Sequence, residues 1–352
     1  MKLDFLKEFH NFAKSLPEGS PPVNVGHPLV GQIGVCIPGR EFRLHGMTRR
    51  SFEALMKDEI TAREAMWLAT KERGSITTWD GVLSARASGY ADDRLFYKAS
   101  QTTVANSWSC FYRSTGVPGA GNYANIPGGA AHNVNSVGAF PLKNPTGTNT
   151  KYLLNFGVNH LTGANVVLLV DLLVAAGNIS ANTTSAQTVN TTALTRYTDG
   201  TGVMMILEVT TALGSTASNV TISYTNSAGT SGRSTGALAM TASAIAYRLQ
   251  PTAGGALIPL QTGDIGVRSV QTITFSAAMG AGVVALLLYK PLLLVPTLAS
   301  TTFVERSTPN MLGGVVPLAT DSSGNLGCLT VFVLPSTTST GTQTYFLQTC
   351  EG

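Results

Sequence analysis

Val220-Thr221-Ile222-Ser223-Tyr224-Thr225 alternates apolar and hydroxyl side chains over six positions. That period of two is the pattern of a strand with one face on a core and one toward water. Asn226-Ser227-Ala228-Gly229-Thr230-Ser231-Gly232-Arg233 follows, rich in the residues that tight turns require. Leu257-Ile258-Pro259-Leu260-Gln261 reads as a further strand, and Thr262-Gly263-Asp264 as a turn. Beyond it, Val267-Arg268-Ser269-Val270 and Gln271-Thr272-Ile273-Thr274-Phe275 continue the alternation. Val283-Val284-Ala285-Leu286-Leu287-Leu288-Tyr289, ended by Lys290-Pro291, reads as a fully buried strand. The stretch is a run of antiparallel strands.

Elsewhere, the segments 152–156, 165–174, 203–209, 329–334 and 344–348 add strands. Val166 to Leu173 is apolar on both faces apart from Asp171, as a central strand requires. Segment 95–112 turns β-like, with Phe96, Tyr97, Trp108, Phe111 and Tyr112 as core candidates, and 179–195 reads as a surface excursion. No helical periodicity alternates with the strands, which excludes an α/β fold. The expected class is mainly β, a jelly-roll-like antiparallel β-sandwich.

The N-terminal part differs. Residues 1–98 hold 26 of the 42 charged residues. Leu3, Leu6, Phe9, Ala13 and Leu16 recur at helical spacing before Pro17. Phe5, Phe9 and Phe12 of this helix are candidates to pack on the body or on a neighbouring subunit. Segment 18–39, with four prolines and five glycines, reads as an extended arm. Thr48 and the capping spacing Thr61-x-x-Glu64 start two further helices. The expected organisation is a helical and extended arm over 1–80, the sandwich over 81–296, and a C-terminal β extension over 297–352.

Three quoted segments together carry a resemblance: Tyr224 to Arg233, Ile258 to Val270 (Ile-Pro-Leu-Gln-x-Gly-Asp-x-Gly-Val-Arg-Ser-Val), and Leu287 to Leu292. This combination, spread over about a fifth of the chain, resembles β-rich virion proteins of tailed bacteriophages. The resemblance implies a structural role in the head, as a decoration or cement protein made in the host cytoplasm. Its partners would be copies of itself, as a trimer at local three-fold positions, and the major capsid protein. A head-fibre, tail-associated or major shell protein stays open beside it, as does a carbohydrate-binding β-sandwich for host attachment.

Chemistry-bearing motifs are sparse. Charged residues make up only 12% of the chain and the net charge is +4, so the basic excess that phosphate binding needs is missing and no direct nucleic-acid contact is expected. The longest apolar run, 283–298, is broken by Lys290, Pro291 and Pro296, so no membrane span is expected. The N-terminus has acidic residues where an export signal needs an apolar run. Cys36, Cys110, Cys328 and Cys350 lack metal or redox spacing and read as free thiols. His10, His27, His45, His132 and His160 stand apart, so neither metal nor cofactor is expected. Ser136, His132 and Asp171 form a hydrolase triad on paper only, and no enzyme is expected. The Gly/Pro/Asn segment 116–129 is too long for a plain loop, so it is expected to be functional or covered. Arg233, Asp264 and Arg268 are the charged residues within the motif stretch. They are read as fold-fixing or interface contacts, with Asp264 the expected partner of Arg268.

Overall fold

The computed structural model describes residues 11–15, 17–18, 23–27, 31–37, 41–44, 91–251, 258–299, 301–307 and 316–352. The chain is an antiparallel β-sandwich protein, as its alternation predicts. The backbone is organised around the strand Asn165–Ser180, sixteen residues long. Val283–Thr297 pairs along it from Asn165↔Thr297 to Ser180↔Val283, and Cys328–Pro335 pairs on its other side. Met204–Thr211 then adds to Val283–Thr297, and short strands complete an eight-stranded sheet.

Two further sheets cover this one. A five-stranded sheet pairs Ser218–Asn226 with Val267–Phe275 at its centre. A six-stranded sheet places Gln343–Glu351 between Lys151–His160 and Ala91–Lys98. Side chains of successive strand residues point to opposite faces. Leu168 and Val170 of the central strand therefore join one core, with Tyr224, Tyr289 and Phe332. Val167 and Leu169 join another, with Phe96, Phe140, Phe156 and Tyr345. A strand apolar on both faces is one that separates two cores.

Val220, Ile222 and Tyr224 are fully buried and the hydroxyl residues between them half-buried, so the quoted alternation reads correctly. Gly229 and Gly232 in the following turn hold φ of 83° and 70°, open to glycine without a Cβ penalty.

Several expectations need correction. Val283–Thr297 does not stop at Lys290-Pro291. Its neighbour Met204–Thr211 ends opposite Tyr289, so beyond that point the strand has one partner strand among the described residues. Pro291 and Pro296 sit there, where a missing N–H is tolerated, and a register shift accompanies Pro291. Ile258 to Gln261 is irregular rather than a strand, although Ile258 is buried in the first core. Segment 179–195 is no mere excursion, since Ile179, Val189 and Leu194 are buried and Gln187–Thr188 pairs with Val267–Phe275. Tyr97 is not a core residue but points outward, 45% exposed.

By pattern the strands of segment 297–352 are open either to complete the sandwich or to pair with a neighbour, and Cys328–Pro335 and Gln343–Glu351 lie in the interiors of two sheets. In place of an extended arm, Val23–His27, Gly31–Ile37 and Glu41–Leu44 form a three-stranded antiparallel meander. A helix over 11–15 ends before Pro17 as its spacing predicts. The helices expected near Thr48 and Thr61 lie outside the described residues. No helix among the described residues is long and apolar enough to cross a membrane.

Candidate functional site

Asp264 draws the motif stretch together, but not through Arg268. Tyr224 Oη donates to its Oδ2 at 2.6 Å, Arg233 Nε to the same oxygen at 2.9 Å, and Asn226 Nδ2 to Oδ1 at 2.7 Å. Gln261 N donates to Tyr224 Oη at 2.8 Å, closing a clamp between the hairpin and the 258–266 loop. The bonds from Arg233, with Tyr224 and Asn226, hold the Asp264 carboxyl down at about 2. Arg268 is exposed and, among the described residues, its side chain donates to the Asp199 carbonyl alone, at 3.3 Å. Two register shifts against Ser218–Asn226 leave Arg268 and Gln271 without opposing residues. Each is a bulge, and a bulge breaks the alternation from which a shielded Arg268 was expected.

The consequence is directional. Arg233→Ala is expected to lower the unfolding free energy clearly in denaturant titration, while Arg268→Ala leaves it within about 0.5 kcal/mol of the parent, as for an ordinary surface change. Because the folded carboxyl lies below its ordinary value of 3.8, the clamp contributes fully above that pH and is lost as pH falls toward 2. Equal midpoints for the two variants at pH 7 would remove Arg233 from the clamp.

Asp171 is the acid of the paper triad, and the structure gives it another partner. Arg196 Nη2 and Nε donate to its two carboxylate oxygens at 2.7 and 3.0 Å, with both side chains at most 2% exposed. Arg196 Nη2 also donates to the carbonyls of His132, at 2.8 Å, and Leu172, at 3.3 Å. Burial pushes the Asp171 carboxyl up, and the bonds from Arg196 pull against it. Ser136 Oγ does lie 3.2 Å from His132 Nδ1, which also meets Tyr112 Oη at 3.0 Å. With Asp171 on Arg196 and His132 held down at about 4 by burial and the Arg196 charge, the three groups do not form a relay.

A second buried carboxylate was not foreseen. Glu208 is fully buried; Arg113 Nε donates to its Oε1 at 2.7 Å, and Tyr123 Oη makes a short hydrogen bond to Oε2. Arg113 lies over the Tyr247 ring at 4.8 Å and the Tyr123 ring at 5.7 Å. Burial pushes the Glu208 carboxyl up, opposed by Arg113. A signal did exist for both acids, since Asp171 and Glu208 are each the lone charge in an apolar strand. Such an acid requires a buried partner, but Arg113 is 95 residues from Glu208 and periodicity does not name it.

The start of the long Gly/Pro segment is held by a lysine, while Val117, Ala120, Asn122, Asn125 and Pro127 stay exposed. Lys98 is fully buried, and its Nζ donates to the carbonyls of Ser114, Pro118 and Gly119 at 3.1, 3.1 and 3.2 Å. Burial pushes its ammonium down to about 8. Below pH 8 both folded and unfolded chains hold this proton. Between about 8 and its ordinary 10.5 only the unfolded chain keeps it, so stability rises with pH. The parent is expected to gain roughly 1 kcal/mol per pH unit over Lys98→Met in that window. Parallel pH profiles of unfolding for the two proteins would contradict a buried, charged Lys98.

Of the aromatic interface candidates, Phe5 and Phe9 lie outside the described residues. Phe12 is 48% exposed beside the buried Ala13. The outer face of the six-stranded sheet carries a more extended apolar stripe. Leu95 is 68% exposed, and Tyr97 stands beside the exposed Val117 of the neighbouring strand. Half-buried Phe346 lies opposite Leu95, and exposed Phe303 covers the next position, Gly157. Among the described residues Cys110, Cys328 and Cys350 are buried and form no disulfide with one another, and no three acidic, His or Cys side chains gather as a metal site.

No protein-family model matches the chain, and no curated protein matches it. Among solved structures, the Gx strain of infectious bursal disease virus aligns over 75% of this chain and 82% of its own, with 9% identity and a TM-score of 0.18. T=1 particles derived from infectious bursal virus align over 74% and 77%, with 9% identity and a TM-score of 0.14. The VP2 subviral particle of infectious bursal disease virus aligns over 74% and 80%, with 10% identity and a TM-score of 0.13. Similarity this low carries no argument for family or fold, and the sheets above rest on the chain's own pairing.

Proposed function

We propose that this chain is a structural protein of a virion, a decoration or cement protein on the head of a tailed bacteriophage. It works as a homo-oligomer, a trimer, seated on the major capsid protein, and it is made in the host cytoplasm. The observation that carries the reading is the stripe of Leu95, Tyr97, Val117, Phe346 and Phe303 on the outer sheet face. Contiguous apolar surface of this kind marks contact sites. Burying it against a neighbour returns roughly 25 cal/mol per Å² of apolar area, and symmetry multiplies that modest term over every copy in the shell. The motif residues agree with a mechanical role, since Tyr224, Asn226, Arg233 and Asp264 hold one hairpin to one loop and line no reaction centre. Quantifying this chain against the major shell protein in purified particles tests the reading. A fixed ratio is expected, reduced severalfold when Leu95→Lys and Tyr97→Lys are combined. Absence of the chain from particles would end the proposal, and a ratio making it the most abundant shell protein would end the decoration role.

A further inference from the structure

Beside the Arg113–Glu208 pair the surface opens into a cleft of about 380 Å³, within the size range of small-molecule sites. Its lining comes from separate parts of the chain: the 121–125 segment, the central strand Asn165–Ser180, and the end of Met204–Thr211. A short parallel pairing, Ala176↔Ala124 and Gly177↔Asn125, locks the loop to the strand and sets Asn125 next to Asn178.

Asn178 is the telling residue. It lies where the register against Val283–Thr297 shifts between Ala176 and Ile179, and it holds a φ of 61°. A non-glycine residue in that region of backbone space costs energy, and asparagine tolerates it better than most. The bulge places Asn178 on the exposed lining of the cleft, near the end of a strand that is otherwise largely buried. Asn122 and Asn125 are exposed there too, and among the described residues none of the three amides is hydrogen-bonded through its side chain. Exposed Thr211 adds a hydroxyl.

Among the described residues Arg113 is the one charged residue of the lining, and Glu208 behind it balances the charge. Its Nε is on Glu208 and its Nη2 on the Val209 carbonyl, at 3.3 Å. A lining with compensated charge does not select an anion. Three amides, each both donor and acceptor, together with a hydroxyl, match a ligand whose edge also alternates donors and acceptors. That is the chemistry of a sugar ring. Glu208 is fully buried and among the described residues no second carboxylate lines the cleft, so the arrangement fits binding without the acid pair that glycoside cleavage requires.

We infer that this cleft binds a neutral hexopyranose unit through the side chains of Asn122, Asn125, Asn178 and Thr211, with Arg113 fixed as its floor. The inference stands apart from the virion role and does not depend on it. A virion protein with such a site would touch glycans through residues other than those of the apolar stripe.

The test is saturation-transfer NMR on the full chain with the methyl glycosides of glucose, galactose, mannose and N-acetylglucosamine. Transfer to at least one glycoside is expected. Asn178→Gly keeps the backbone conformation while removing the amide, and Asn125→Ala alters only an exposed loop side chain. Each variant is expected to weaken binding about fivefold, the worth of one neutral hydrogen bond, with an unchanged melting temperature. No transfer to any of the four glycosides overturns the inference. So does parent-like binding by both folded variants, or displacement of the sugar by inorganic phosphate, which would make the site an anion site.

Discussion

Arg196→Met is expected to destabilise the fold by about 3–5 kcal/mol, the cost of leaving a buried charge without its partner. The two side chains sit in the interior at most 2% exposed, joined by hydrogen bonds of 2.7 and 3.0 Å. Methionine fills much of the volume but donates nothing, so Asp171 keeps its desolvation without compensation. The carbonyls of His132 and Leu172 also lose a donor. Asp171 has no room to turn away, because Gly327 lies so close that a Cβ there would be 2.3 Å from its Oδ2. The double variant Asp171→Asn with Arg196→Met discharges the stranded acid and is expected to recover part of the loss. Denaturant unfolding of the parent, both single variants and the double variant gives the coupling. A loss below about 1 kcal/mol for Arg196→Met, typical of exposed pairs, would sink the assignment.

Phe140→Ala is expected to cost a similar amount, about 3–5 kcal/mol, through a cavity. The Phe140 ring is fully buried, stacked on Phe96 at 4.7 Å with 5° between planes, and 5.5 Å from Tyr345. Tyr345 stacks in turn on Phe156 at 6.0 Å. Three of these rings come from adjacent strands of the six-stranded sheet, and Phe140 lies in an irregular segment. It therefore anchors that segment to the second core, and strands cannot close over a missing ring without shifting their register. Leu95→Ala, on the outer side of the same sheet and 68% exposed, is expected to change stability by no more than about 0.5 kcal/mol. Comparable losses for the two would mean that the outer face, too, is packed in the folded chain.

The class of fold was legible because local physics writes it in short range. Period two in Val220 to Thr225 needs no knowledge of a partner, and two-sided apolarity in Val166 to Leu173 implies cover on both faces. The turn at 226–233 was legible for the same reason, through residues that tolerate its backbone angles. What a strand's pattern does not contain is the identity of its neighbour. Arg233 rather than Arg268 takes Asp264 because two bulges in Val267–Phe275 shift the register, and each shift reverses the faces that alternation assigns. Pro291 ended the strand on paper yet is accommodated where the neighbouring strand has run out. The lone acids Asp171 and Glu208 announced a need for partners, but Arg196 and Arg113 are 25 and 95 residues away. The amides of Asn122, Asn125 and Asn178 converge only once a parallel bridge has locked loop to strand. Sequence pattern sets which face of each strand is buried; packing across the sheets sets which side chains meet, because pairing at long range depends on register and not on period.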